Sequence, residues 1–187
     1  MPRGPERGSH YLVVDLEATC ADDGSIPWPE NEIIEIGVVM VGGDSLEPVD
    51  ELQSFVRPVR RPQLTAFCRD LTHIAQEDVD RAPVFAEVLP AVARWARRYT
   101  HPLLSSWGEF DRKLLALECR RHNLPYPFGG QHLDVKARFQ RARGLDKPPS
   151  LKEALALSGL EHRGTWHRGI DDARNIARLL PLLLARD

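Results

Sequence analysis

The stretch "YLVVDLEATC", Tyr11 to Cys20, places two acids, Asp15 and Glu17, inside a run that otherwise has the composition of a buried strand. Side chains alternate across a strand, so Asp15 and Glu17 share one face while Leu12, Val14 and Leu16 share the other. Two carboxylates on one face repel each other unless something cationic lies between them. A solvated edge strand that happens to show two acids satisfies the same pattern. The D-x-E pair alone does not decide between these, so its partners must be sought elsewhere in the chain.

Outward from this stretch, the first third reads as strands: Leu12 to Ala18, then "EIIEIGVVMV" (Glu32 to Val41), then "ELQSFVRPV" (Glu51 to Val59). The turn-forming runs "ADDGS" and "GGDSLEP" separate them. The short second connection predicts an antiparallel hairpin. Helical periodicity then takes over, with Phe85, Val88, Leu89, Val92, Trp95 and Tyr99 recurring from Pro83, a residue suited to a helix start. "PLLSS" (Pro102 to Ser106) reads as a short strand, "RKLLALECRRHN" as a helix ended by "LP", and "HLDV" (His132 to Val135) as a last strand. Ser150 and Glu153 form a capping box that opens "LKEALALSG", which Gly159 closes. A final helix runs from about Asp171 with Ile176, Leu179, Leu180 and Leu183 on one side. Strands first, then alternating helix and strand, give an α/β layered domain with a mixed sheet.

The 187 residues suit one domain with its own core, residues 11–187, after a short flexible lead-in, residues 1–10. That lead-in, "MPRGPERGSH", lacks the apolar region of a secretory signal. No apolar run approaches the roughly 18 residues of a membrane span. Cys20, Cys68 and Cys119 are far apart and form no C-x-x-C, which fits a reduced, cytoplasmic setting. A net charge of −2 argues against coating nucleic acid by bulk electrostatics. It leaves room for an enzyme that grips one strand end through local contacts.

Partners for the first two acids lie downstream. In "SSWGEFDRKLL", Asp111 follows a strand and opens a helix, a place that a plain N-cap would also fill. In "TWHRGIDDARNIARLL", His167, Asp171 and Asp172 meet at a loop-to-helix junction. Asp172 lies four residues before Ile176 and shares the inward apolar stripe; Asp171 is rotated off it, three residues before Arg174, as a surface pair. Four acids on one side of a sheet suit hard cations, Mg²⁺ or Mn²⁺. Two such ions stabilise both the attacking and leaving oxygens of an in-line phosphoryl displacement. An imidazole with a pKa of about 6.5 can take the proton from the attacking water. His167, between Gly164 and Gly169, stands on a loop expected to swing in when substrate arrives.

With these residues, the chain resembles the DEDDh-type 3′→5′ exonucleases, and within them the group of histone-mRNA 3′-end and RNA-interference-regulating exonucleases and bacterial KapD-like proteins. The resemblance runs from Tyr11 to the last helix. It is carried in order by "VVDLEATC", "EIIEIG", "CRDLTHIAQEDVDRAP", "SWGEFD" and "HRGIDD", with His73 where the family usually has glycine. It implies a ribonuclease H-like fold with a five-stranded mixed sheet, and release of nucleoside 5′-monophosphates from a free 3′ end of single-stranded nucleic acid. It further implies that Asp15 bridges two metal ions, that Glu17 and Asp172 complete one site, that Asp111 holds the second, and that His167 is the general base. Main-chain groups around Leu16, Ala18 and Thr19 would hold the terminal nucleotide, and Leu71 and Ile74 would form an apolar wedge against its base.

Other candidates have plainer alternatives. Trp107 suits base stacking or a half-buried strand end; Trp28 suits a loop anchor equally. Lys136, Arg138, Arg141, Arg143 and Lys147 form a phosphate-tracking rim or a solvated helix face. His162 reads as a surface residue. Two other functions use the same residues: a nucleic-acid-binding module without turnover, and a phosphodiesterase for small molecules.

Overall fold

The computed structural model describes residues 10–184, so all but the last residue of the expected lead-in lies outside the described residues. Strand β1 (His10–Ala18) is the centre of the molecule. It pairs antiparallel with β2 (Ile33–Gly42) and parallel with β4 (Pro102–Ser106). Strand β3 (Pro48–Phe55) extends the sheet beyond β2 as the expected hairpin, and β5 (His132–Asp134) extends it beyond β4. The order is β3-β2-β1-β4-β5, a mixed five-stranded sheet.

Both faces of β1 are covered, which explains its continuous apolar run. Leu12, Val14, Leu16 and Ala18 pack on one side against α3 (Phe85–Ala96) and α4 (Phe110–Arg121). Tyr11 and Val13 face the other side, against α5 (Val135–Ala142), α6 (Leu151–Leu157), α7 (Gly169–Ala177) and α8 (Leu180–Leu184). Asp15 and Glu17 continue that second row. The strand is therefore no solvated edge.

Two short helices, α1 (Ala66–Thr72) and α2 (Gln76–Asp80), enclose a third cluster of Ile34, Leu64, Cys68, Ile74 and Val79. His73 ends α1 with φ 55, in the left-handed region that glycine enters without strain. The departure from the family's glycine thus falls where a side chain costs backbone energy.

Several boundaries differ from expectation for physical reasons. β3 runs from Pro48 to Phe55, not from Glu51 to Val59, because the buried Glu32 carboxylate draws the following chain off the sheet. It accepts N–H groups from Val59, Arg60 and Arg61 at 2.7–3.0 Å. β5 stops at Asp134 because that side chain caps α5, accepting from the Ala137 N–H at 2.8 Å. The single last helix is two, α7 and α8. Pro181 has no N–H for the Ala177 carbonyl, so the ladder breaks there. The capping box of Ser150 and Glu153 is present at the start of α6.

Candidate active site

Each of the four acids enters the site from a different kind of position. Asp15 and Glu17 come from the end of β1, Asp111 from the first turn of α4, and Asp172 from the first turn of α7. Asp111 is not the N-cap; Glu109 occupies that position, and the Asp111 carboxylate instead accepts the Leu16 N–H at 3.0 Å. This bond reaches from the far side of the sheet's end and ties α4 to β1. Glu17, Asp111 and Asp172 are only 8%, 5% and 6% exposed.

Helix α7 comes this close because glycines clear its path. A Cβ on Gly37 would lie 2.2 Å from the Gly169 carbonyl carbon, and one on Gly169 would lie 2.9 Å from the Asp15 carbonyl oxygen. Gly37 sits opposite Asp15 in the β1–β2 register. The helix start therefore lies flush on the two central strands. Glu35, fully buried, holds it there by accepting from the Arg168 Nε and the Gly169 N–H, both at 3.1 Å.

Crowding of like charge shows in the acidities. Burial, then the charges of Asp111, Glu17, Asp172 and Glu35, raises the Asp15 pKa well above the usual carboxylate range. Burial and then Asp172, Glu35 and Asp111 push Glu17 up to about 9. Burial pushes Asp111 up to about 7 against the opposing N–H bonds of Leu16 and its own backbone. Burial raises Asp172 too, opposed by hydrogen bonds from His162 and the His167 N–H. Among the described residues, the ion pairs nearest the cluster join His162 to Asp172 and Arg168 to Glu35; none reaches Asp15, Glu17 or Asp111. A set of oxygens that repel one another and lack a cationic side chain fits a divalent cation. Ligand atoms of Glu17, His167 and Asp172 lie within 4.8 Å of one another.

His167 is exposed, takes φ 58, and donates its own N–H to Asp172 Oδ2 at 3.0 Å. Its loop is held against α7 through backbone N–H groups. Asp171 accepts the Thr165 N–H at 2.9 Å and pairs with Arg174 at 2.9 Å. His162 Nε2 lies 2.9 Å from Asp172 Oδ1, and its ring stacks on Trp166 at 3.6 Å. His162 is thus a largely buried partner of the cluster, not a surface residue. Sequence spacing does not reveal it, because a lone histidine in a loop carries no periodic signal.

The remaining candidates separate. The Leu16 N–H is taken by Asp111. Thr19 spends its N–H on the Glu32 carbonyl at 2.9 Å, and its carbonyl on Asn31 at 2.7 Å. Ala18 lies at a register shift between β1 and β2, and its carbonyl accepts the Cys68 thiol at 3.6 Å. Leu71 is half-buried on α1, whereas Ile74 is 1% exposed inside the third cluster and offers no wedge to a base. The Trp107 ring packs near Phe139 at 6.1 Å with its Nε1 buried, so it is a packed side chain and not an open platform. Trp28 and Phe110, by contrast, are exposed and lie 5.5 Å apart beside Asp111, an aromatic pair that the sequence alone did not single out. Along the basic run, Arg138 binds the Leu183 carbonyl and Arg143 lies over the Phe139 ring, so both have structural partners.

The profile of the Exonuclease family (RNase_T) matches residues 12–180. The 3′-5′ exoribonuclease 1 of Homo sapiens is 34% identical over 184 residues, covering 94% of this chain and 52% of that protein. The ERI1 exoribonuclease 3 of Mus musculus is 32% identical, covering 100% and 57%. This chain therefore spans about half the length of the curated relatives it matches. Among solved structures, the nuclease domain of 3′hExo, a DEDDh family member, bound to rAMP, is 33% identical with a TM-score of 0.85, covering 94% of this chain and 91% of that one.

Proposed function

Because the chain belongs to the Exonuclease family, in its DEDDh branch with the ribonuclease H-like fold, we propose that it is a divalent-cation-dependent 3′→5′ exonuclease of single-stranded nucleic acid. RNA is the first substrate to test, since the relatives bear the name exoribonuclease. The observation that carries this reading is the convergence of four acids from β1, α4 and α7 on one end of the sheet, with Glu17, Asp111 and Asp172 buried and Asp15 half-buried.

In this mechanism Asp15, Glu17, Asp111 and Asp172 would hold the Mg²⁺ or Mn²⁺ ions. Bound there, the ions supply Lewis acidity at the scissile phosphate and at both the attacking and leaving oxygens. His167 takes the proton of the attacking water on an imidazole nitrogen. The water oxygen forms the new bond to phosphorus as the bond to the upstream 3′ oxygen breaks, releasing a nucleoside 5′-monophosphate. Its exposed position beside Glu17 and Asp172 supports that role for His167. Exposed Phe110 and Trp28 offer apolar surface beside Asp111 for an unstacked base.

We further propose a cytoplasmic location, on the support of three free cysteines, Cys20, Cys68 and Cys119. Among the described residues no helix is long and apolar enough to cross a membrane.

The deciding assay presents 5′-labelled single-stranded RNA and DNA of one sequence, with Mg²⁺, Mn²⁺ or a chelator. Stepwise shortening from the 3′ end with release of 5′-monophosphates is expected with either cation and none with the chelator. Intact strands under every condition would overturn the proposal, and binding without turnover would leave a regulatory module.

A further inference from the structure

His162 has no place in the chemistry above, yet it is the side chain most intimately joined to one of the four acids. It belongs to the irregular segment between α6 and α7, and its side chain is 9% exposed. Nε2 lies 2.9 Å from Asp172 Oδ1, while the His167 N–H occupies Oδ2 at 3.0 Å. An ionised carboxylate only accepts, so Nε2 carries the proton in this bond. One face of the ring stacks on Trp166 at 3.6 Å with an interplanar angle of 19°. The imidazole therefore cannot turn without losing either the stack or the hydrogen bond.

A carboxylate has about four acceptor positions. Two are used by His162 and the His167 N–H, one on each oxygen, which sets the plane of the group. The remaining lone pairs are those available to a cation shared with Glu17. Groups that hydrogen-bond a metal-ligating carboxylate orient it and tune its grip.

We infer that His162, braced by Trp166, is a positioning residue that orients the Asp172 carboxylate for divalent-cation binding. The same segment carries His167 five residues further on, so one small unit aligns both an acid and the adjacent imidazole. This inference rests on the cation-dependent reading of the cluster. It goes beyond it by giving a role to a side chain that contacts neither water nor substrate in the mechanism.

The plainer alternative is that His162 only satisfies a buried carboxylate, which would matter for folding and not for cation affinity. Calorimetric titration of Mn²⁺ into the full chain separates the two, with thermal unfolding of the metal-free protein measured alongside. Wild-type protein binds Mn²⁺; His162→Ala binds about 10–100-fold more weakly. His162→Gln, which keeps an N–H donor, recovers most of that loss. His162→Ala binding within about twofold of wild type, whatever its unfolding temperature, would overturn the inference. If His162→Ala does not fold, Trp166→Leu takes its place. It keeps the histidine and removes its aromatic brace, and an unchanged Mn²⁺ affinity there would overturn the inference equally. Wild-type protein that fails to bind Mn²⁺ would instead bring down the exonuclease reading, and this inference with it.

Discussion

Asp15 faces four other acids, Glu17, Asp111, Asp172 and Glu35, and among the described ion pairs none reaches it directly, which makes its replacement informative in two directions. Asp15→Asn removes charge repulsion while keeping shape, so the metal-free protein should unfold about 2–4 °C higher, the shift worth roughly 1 kcal/mol in a domain of this size. Hydrolysis should fall by about 10³-fold or more, the equivalent of roughly 4 kcal/mol of lost transition-state stabilisation. Calorimetry without cations and a timed degradation assay with them read the two effects. The same crowding sets a pH dependence. Glu17 is pushed up to about 9 and Asp111 up to about 7 in the fold, against roughly 4 for unfolded carboxylates. Raised carboxylates bind more protons folded than unfolded, so their contribution is fully present below about pH 4 and is lost as pH rises through 7 and 9. Asp50 and Glu51, held low by Tyr99 and Arg174, act oppositely and are lost only as pH falls through the acid range. Metal-free melting temperature should therefore decline from about pH 6 to 9. Cation binding, which displaces those protons, should restore more stability at pH 8 than at pH 6.

At the scale of elements, the site depends on how closely α7 lies against β1 and β2. Gly37 is the residue that permits it, because a methyl group there meets the backbone of Gly169 at 2.2 Å. A side chain tip yields to such a clash; helix backbone does not. Gly37→Ala should cost stability at the upper end of the roughly 1–3 kcal/mol seen for overpacking, seen as a lower urea midpoint. Its cation affinity should fall as well, since the helix that carries Asp172 is displaced. A variant that retains both would show that the contact of α7 with the sheet does not set the site. Glu32 and Glu35 act on this scale too. One folds the chain after β3 around its carboxylate, and the other clasps the start of α7. Both belong to the "EIIEIG" run, where they read from sequence only as charges in a strand.

For the whole molecule, acids from both ends of the chain meet at the proposed cation site, so cation binding there would be coupled to global folding. A cation that binds only the folded chain adds about 2.7 kcal/mol at a hundredfold excess over its Kd. Melting temperature should rise with the logarithm of Mg²⁺ or Mn²⁺ concentration, and that rise should vanish in Asp15→Asn. A rise that persists unchanged in the variant would place the cation elsewhere. The sheet's centre strand is the common scaffold: β1 bonds to strands on both sides and is covered on both faces. Movement of β1 is thus felt by every acid in the cluster.

Period-two and period-3.6 patterns, turn residues and the capping box at Ser150 made the strands and most helices readable, because each signal is written within a few neighbouring residues. The four acids and the histidine of the cluster were also legible, Asp172 because a carboxylate on the inward face of a helix conflicts with its surroundings, and the others through the ordered motifs that carry the family resemblance. Less local facts were not. The burial of His162 against Asp172, the closure of Ile74 and Trp107 into packed clusters, and the tethering of the His167 loop all depend on which distant segments meet. The split between α7 and α8 was written at Pro181 but masked by an apolar stripe that continues across it. Sequence determined which residues are the candidates for the chemistry. Tertiary structure decided which of them touch, because contacts across the sheet depend on backbone approach, such as that of Gly37 to Gly169, which no local pattern encodes.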